Sequence, residues 1–134
     1  MKVLSHETLP LRQPEDVVLV RNKVRNWMQE EGYRLIAQTR LATAVSELAR
    51  NALDYGGGGV ARLEKVQNGS REGIRVVIED RGPGIADVEQ AMRDGYTTGS
   101  GMGLGLGGAR RLVDEFEIWS QPGQGTRVTI VQWR

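Results

Sequence analysis

Cysteine is missing from this sequence, and histidine occurs once, at His6. Disulfides, thiolate nucleophiles and cysteine metal sites are therefore excluded, and any phosphohistidine chemistry would have to run through a single residue. Neither sign of charge dominates: 18 basic residues against 17 acidic ones leave a formal net charge of +1, spread along the chain. The clustered Lys/Arg face that nucleic acid requires is absent. The longest uninterrupted aliphatic run is Val17-Val18-Leu19-Val20, too short to span a bilayer, and the N-terminus carries no apolar signal segment. A cytoplasmic protein is expected, with neither nucleic acid nor membrane as a partner.

What remains is enough for one core. At 134 residues the chain is expected to form a single domain, 1–134. Residues 2 to 8 alternate weakly, as a short first strand does. Pro14 followed by Glu15 and Asp16 suits a helix start, where a missing N–H is harmless and acids meet the positive end of the dipole. Val17, Val20, Val24 and Trp27 follow at helical spacing up to Gly32, with Trp27 read as core. A second helix is predicted from about 36 to 55, with Leu41, Ala44, Val45, Leu48 and Ala52 in one stripe, and "GGGG" at 56 to 59 ends it. Strands over 60–67 and 73–80 flank a turn at Asn68-Gly69 and read as a hairpin. A short helix near 87–94, a longer one over 103–115, and strands near 116–121 and 125–133 complete the pattern. Grouped helices and closely connected strands favour an α+β two-layer sandwich, its sheet mixed but mostly antiparallel with helices on one face.

Three stretches carry chemistry. In "ELARNALDYG", Glu47 and Asn51 lie one turn apart beside the apolar stripe, at about 100° of helix rotation per residue; they either line a cleft or belong to the solvated face. In "EDRGPGI", Asp80 ends a strand and is followed by glycines that let backbone approach a ligand. Such a carboxylate can accept from an exocyclic amine, which adenine offers where guanine presents an acceptor; an ordinary Asp/Gly/Pro turn is the alternative. The third, "TTGSGMGLGLGG", packs six glycines into its last ten positions and runs into "ARRLVDEF". Uncovered main-chain N–H groups at a helix start suit phosphate, and flexibility alone explains that density poorly.

Other glycine-rich phosphate loops fit less well. No glycine precedes a lysine, so a Walker A loop is absent. Gly103, Gly105 and Gly108 satisfy GxGxxG, but "RDGYTTGS" is not the buried strand that a dinucleotide fingerprint follows. The HRD and DFG pair of eukaryotic-type kinases is also lacking.

In order, "ELARNALDYG", "EDRGPGI", "TTGSGMGLGLGG" and "GQGTRV" resemble the N, G1, G2 and G3 boxes of the GHKL ATPase superfamily. The length and the first helix make the chain similar to the anti-sigma-factor serine/threonine kinases, and among these to the RsbT-like switch kinases. The resemblance implies a Bergerat-type site for ATP or ADP with Mg²⁺. Glu47 would be the general base, Asn51 the Mg²⁺ ligand and Asp80 the contact to the adenine amine. Gly82, Gly84 and Ile85 would shape the base pocket and Thr126 would support the base. Thr97, Thr98, Gly99, Ser100, Gly101, Met102, Gly103, Leu104 and Gly105 would wrap the phosphates as a lid. The implied substrate is a STAS-domain antagonist protein, and the implied second partner is the regulatory domain of a PP2C-type phosphatase. Two departures stand out: Tyr55 occupies a position where many relatives have histidine, and no Lys or Arg lies between Tyr96 and Ala109. Without a lid cation, slow turnover is expected, or a nucleotide-gated binding module that signals without phosphoryl transfer.

Overall fold

The computed structural model describes residues 1–93 and 105–134. The described elements are β1 (Lys2–Leu11), α1 (Pro14–Glu30), α2 (Leu35–Asp54), β2 (Gly59–Asn68), β3 (Arg71–Asp80), α3 (Val88–Ala91), α4 (Gly105–Arg111), β4 (Glu115–Gln121) and β5 (Gly125–Trp133). The strands form one sheet in the order β1-β2-β3-β5-β4. Every described pairing is antiparallel, so the expected mixed sheet is corrected to an antiparallel one. For β1 and β2 the reason is the pair of helices between them, and β2–β3 and β4–β5 are joined by tight turns, which only antiparallel neighbours allow. A single crossover helix delivers the chain to the opposite end of a sheet, whereas α1 and α2 form a hairpin that returns it to the end it left.

Local chemistry sets the boundaries. Asp16, in the first turn of α1, accepts from the main-chain N–H of the N-cap residue Gln13 (3.1 Å), half of a capping box, and from that of Arg12 just before it (2.8 Å). Strand β1 runs to Leu11 rather than 8 because it pairs with β2 as far as Gly59. Helix α4 ends at Arg111, short of the predicted 115. The Leu112 N–H turns back to Ala109 O at 3.1 Å, and the Asp114 N–H has already joined Val131 O at 3.1 Å.

Period-two alternation puts Ala61, Leu63, Ile74, Val76, Ile78, Val128 and Ile130 on the helix-covered face, all buried. Against them lies the predicted stripe of α2, with Leu41, Ala44, Val45, Leu48 and Ala52 each at most 2% exposed. Val17, Val20 and Val24 of α1 join this core, but Met28 takes the last place and Trp27 is only half-buried beside it. A bulky indole at that point reaches sideways and lies under the Lys65 ammonium, 5.1 Å from the ring centroid. The two tryptophans of the last hairpin are on the helix-free face, Trp133 buried and Trp119 41% exposed.

The register shows where the core stops. Leu63, Val76, Ile130 and Phe116 form one cross-strand row, and Ala61, Ile78, Val128 and Ile118 the next. One step further, the row becomes Gly59, Asp80, Thr126 and Ser120. The inward-facing stripe turns from aliphatic to small and polar within a single strand period, and the cleft opens there.

Candidate functional site

A cleft of about 560 Å³ lies over that polar row. Glu47, Asn51, Asp80, Gly84, Ile85, Gly105 and Thr126 line it, together with apolar Leu48, Ala52, Ile78 and Val128. Seven of the residues singled out in the sequence, from four separate stretches of chain, therefore share one space. Thr97 to Leu104 lie outside the described residues.

Helix α2 supplies one wall. Glu47 is 7% exposed, so the solvated-face reading is wrong for it. Its Oε1 accepts from the main-chain N–H of Gly105 at 3.0 Å, the first residue of α4. Its Oε2 is 3.9 Å from the guanidinium of Arg50, an arginine whose side chain is more than half exposed and which contributes little attraction at that range. Asn51, one turn on, is half-buried and faces the same space.

Strand β3 supplies the floor. Burial raises the Asp80 carboxyl above its ordinary pKa, and main-chain N–H groups of Gly82 and Thr126 oppose that rise without cancelling it. The Gly82 N–H reaches Oδ1 at 2.9 Å. Gly82 itself does not line the cleft; it holds the aspartate in place. Gly56, just past the end of α2, crosses so close that a Cβ there would overlap the Asp80 carboxyl, which explains part of the glycine run at 56 to 59.

The loop after β3 supplies the rim. Gly84 has φ +76°, and a side chain on it would run into the Gln121 carbonyl. Close approach is what lets Pro83 O accept from the Gly123 N–H at 2.7 Å and lets the Ile85 N–H donate to Ser120 Oγ at 2.8 Å. Ser120 in turn contacts Thr126 Oγ1 at 2.8 Å. Sequence reading missed Gly56 and Ser120. The strand spacing across "SQPGQGT" was the available signal for the second, since a tight hairpin there pairs Ser120 with Thr126.

A buried carboxylate, an amide and a second, desolvated carboxylate around a partly apolar cleft suit a ligand with a flat apolar body, a donor amine and a charged tail. Residues 36–133 match the family described as histidine kinase-, DNA gyrase B- and HSP90-like ATPases, and the chain belongs to that family. It is 42% identical over 118 residues to the serine/threonine-protein kinase RsbT of Bacillus subtilis (strain 168), covering 88% of this chain and 89% of that one. It is 32% identical over 99 residues to the anti-sigma F factor of Thermoanaerobacter sp. (strain X514), 69% of this chain and 68% of the relative. The crystal structure of the RsbU and RsbW domains of a Mycobacterium tuberculosis protein shares the fold at TM-score 0.66 and 24% identity; all of this chain is matched, spanning 33% of that one. Within the family, then, the chain stands among the ATP-dependent serine/threonine kinases of GHKL type.

Proposed function

We propose that this chain transfers the γ-phosphoryl group of Mg·ATP to a serine or threonine hydroxyl of a small STAS-domain antagonist protein. In this reading the pathway is a partner switch controlling a sigma factor or stress response. Phosphorylation releases the kinase, which then activates a PP2C-type phosphatase through its regulatory domain. Kinship to RsbT and to anti-sigma F factors supports the reading. The observation that carries it is Glu47, a carboxylate nearly removed from solvent at one wall of the cleft whose floor holds Asp80.

Each residue has a part. Asp80 accepts from the adenine amine while the Gly82 N–H holds its carboxylate, Thr126 supports the base, and Gly84 and Ile85 shape its pocket. Glu47 orients the acceptor hydroxyl. As that oxygen bonds to the γ-phosphorus and the bond to the ADP oxygen breaks, the hydroxyl proton passes to the Glu47 carboxylate. Phosphoryl transition states are loose, so orientation counts for more than full deprotonation. Gly105 continues the lid, 97 to 105, that would wrap the phosphates. Asn51 fits a hard cation, since it lines the cleft and its amide oxygen is the kind of donor Mg²⁺ takes. Mg²⁺ suits such a site because it keeps water and phosphate oxygens as most of its ligands. When bound, it would neutralise charge on the triphosphate.

No described helix is long and apolar enough to cross a membrane, and the proposed setting is the cytoplasm, with residues 1–134 acting as one domain. The test is transfer of labelled phosphate from ATP to a purified STAS-domain partner with Mg²⁺ present. Transfer by the wild type, reduced about 10²- to 10⁴-fold by Glu47→Ala, is expected; equal labelling by the variant would refute the assignment.

One observation favours a second reading, a nucleotide-gated binding module. No Lys or Arg occurs between Tyr96 and Ala109, and a finger arginine supplies roughly 10³- to 10⁵-fold in other phosphoryl-transfer enzymes. Full phosphatase activation by Glu47→Ala, with no transfer by the wild type, would select it.

A further inference from the structure

Ser120 does not line the cleft, yet two of the three contacts its hydroxyl makes, to Ile85 and Thr126, lead to residues that do. It accepts from the Ile85 N–H at 2.8 Å, donates to the Gly125 carbonyl at 3.0 Å, and meets Thr126 Oγ1 at 2.8 Å. A serine hydroxyl has one hydrogen and two lone pairs. All three contacts coexist in only one arrangement: the Ser120 hydrogen points to Gly125 O, so the Thr126 hydroxyl must be the donor of the bond between the two side chains. In the other arrangement Ser120 donates to Thr126 and abandons Gly125 O, losing one bond of the three.

That accounting reaches into the cleft. Once the Thr126 hydrogen is turned to Ser120, Thr126 Oγ1 has only lone pairs left for a ligand. Its neighbour across the strand pair is Asp80, whose carboxylate also only accepts when ionised. We propose that Ser120 is a positioning residue that fixes the polarity of the Thr126 hydroxyl, so that the cleft floor meets a purine with acceptors alone and admits a base by its exocyclic amine. The proposal rests on the reading of the cleft as an adenine-nucleotide site. A 6-oxo purine would turn its carbonyl oxygen toward two acceptors and leave it unpaired, whereas the amine of adenine has two hydrogens to give.

The substitution Ser120→Ala frees the Thr126 hydroxyl to rotate and donate into the cleft, so a base with an acceptor at that position becomes acceptable. Calorimetric titration of the intact chain with ATP and with inosine triphosphate, Mg²⁺ present, reads the effect. The wild type is expected to favour ATP, and Ser120→Ala to shrink the ATP-to-inosine-triphosphate affinity ratio about tenfold, the worth of one hydrogen bond. Ser120→Thr, which keeps the hydroxyl, should restore the ratio. In a Thr126→Val background, the Ser120→Ala change should leave the ratio unmoved. Equal loss of affinity for both nucleotides would mean that Ser120 only braces the hairpin and would overturn the proposal, as would a ratio that shifts just as far without the Thr126 hydroxyl. Failure of the wild type to bind ATP at all would instead bring down the adenine-nucleotide reading beneath it.

Discussion

Glu64 and Asp80 stand on neighbouring strands of one sheet, both acidic and both drawn away from solvent, yet their surroundings push them in opposite directions. Glu64 projects from the helix-free face of β2 and is 5% exposed. Burial alone would raise its pKa, but hydrogen bonds and attraction from Arg75 and Arg62 outweigh that and hold the carboxyl below its usual range. Each of its oxygens takes one guanidinium, Arg75 at 2.5 Å and Arg62 at 3.0 Å. Asp80 ends the inward-facing stripe of β3, and burial raises its pKa; main-chain N–H groups, with no cation among the described residues, are its partners. One carboxylate is completed by the protein itself. The other retains capacity for a donor that the described residues do not supply, as the proposed adenine contact requires.

The largest expected effect that separates the two falls on binding. Asp80→Asn should weaken ATP about ten- to a hundredfold, the range of a hydrogen bond to a charged group, while the thermal midpoint holds or rises because a neutral amide no longer has to be ionised out of water. Retained affinity, measured by calorimetry, would remove Asp80 from the adenine contact. Glu64→Gln should do the reverse, lowering unfolding stability by about 1–2 kcal/mol in urea titrations with ATP affinity unchanged. That figure is discounted from the cost of breaking a fully buried pair because both arginines are partly exposed. Gly56→Ala lies between the classes: a methyl pressed against the Asp80 carboxyl should reduce ATP affinity several-fold, tens of residues away in sequence from the contact it disturbs.

The smallest effect is a matter of pH. A group whose pKa is raised by folding favours the native state below its unfolded value and loses that advantage as pH climbs through the raised one, so ionising Asp80 works against stability. The proposed amine contact needs the ionised form, and ATP affinity should therefore fall on acidification at a pH above the usual carboxylate range of about 4. Glu64 has the opposite sign. Its contribution is present above its unfolded pKa and is lost only as pH falls through its lowered one. Acid should accordingly weaken nucleotide binding before it loosens the sheet. Tryptophan fluorescence and ATP titration followed over the same pH series would expose any failure of that order.

Much of the layout was legible along the chain because the signals are short-range. Val17, Val20 and Val24, the Leu41-to-Ala52 stripe and the alternation of Ile74, Val76 and Ile78 are periodicities that an isolated segment already has. Asp80 was legible for the same reason: it is the next inward position of its own strand. Glu47 was only half legible, since its angle around α2 left both a cleft and a solvated face open, and the packing of α4 against α2 decided between them. Trp27 does pack against the core as its spacing implied, but only at its edge, because Met28 fills the last fully buried place of α1. Ser120 and Gly56 were missed since each acts through a partner reached across strands or past a helix end.

By itself, then, the order of residues determined which segments become helix or strand and which side of each is apolar, because these follow from steric preference and from water's rejection of apolar surface over a few residues at a time. Only the tertiary structure decided that β5 lies between β3 and β4, so that every described pairing is antiparallel. It alone set Arg75 opposite Glu64 and main-chain N–H groups of Gly82 and Thr126 on Asp80, and it joined Ile85, Ser120, Gly125 and Thr126 in one hydroxyl network. Those outcomes depend on contacts between residues distant in sequence, and such contacts exist only once the chain has closed on its core.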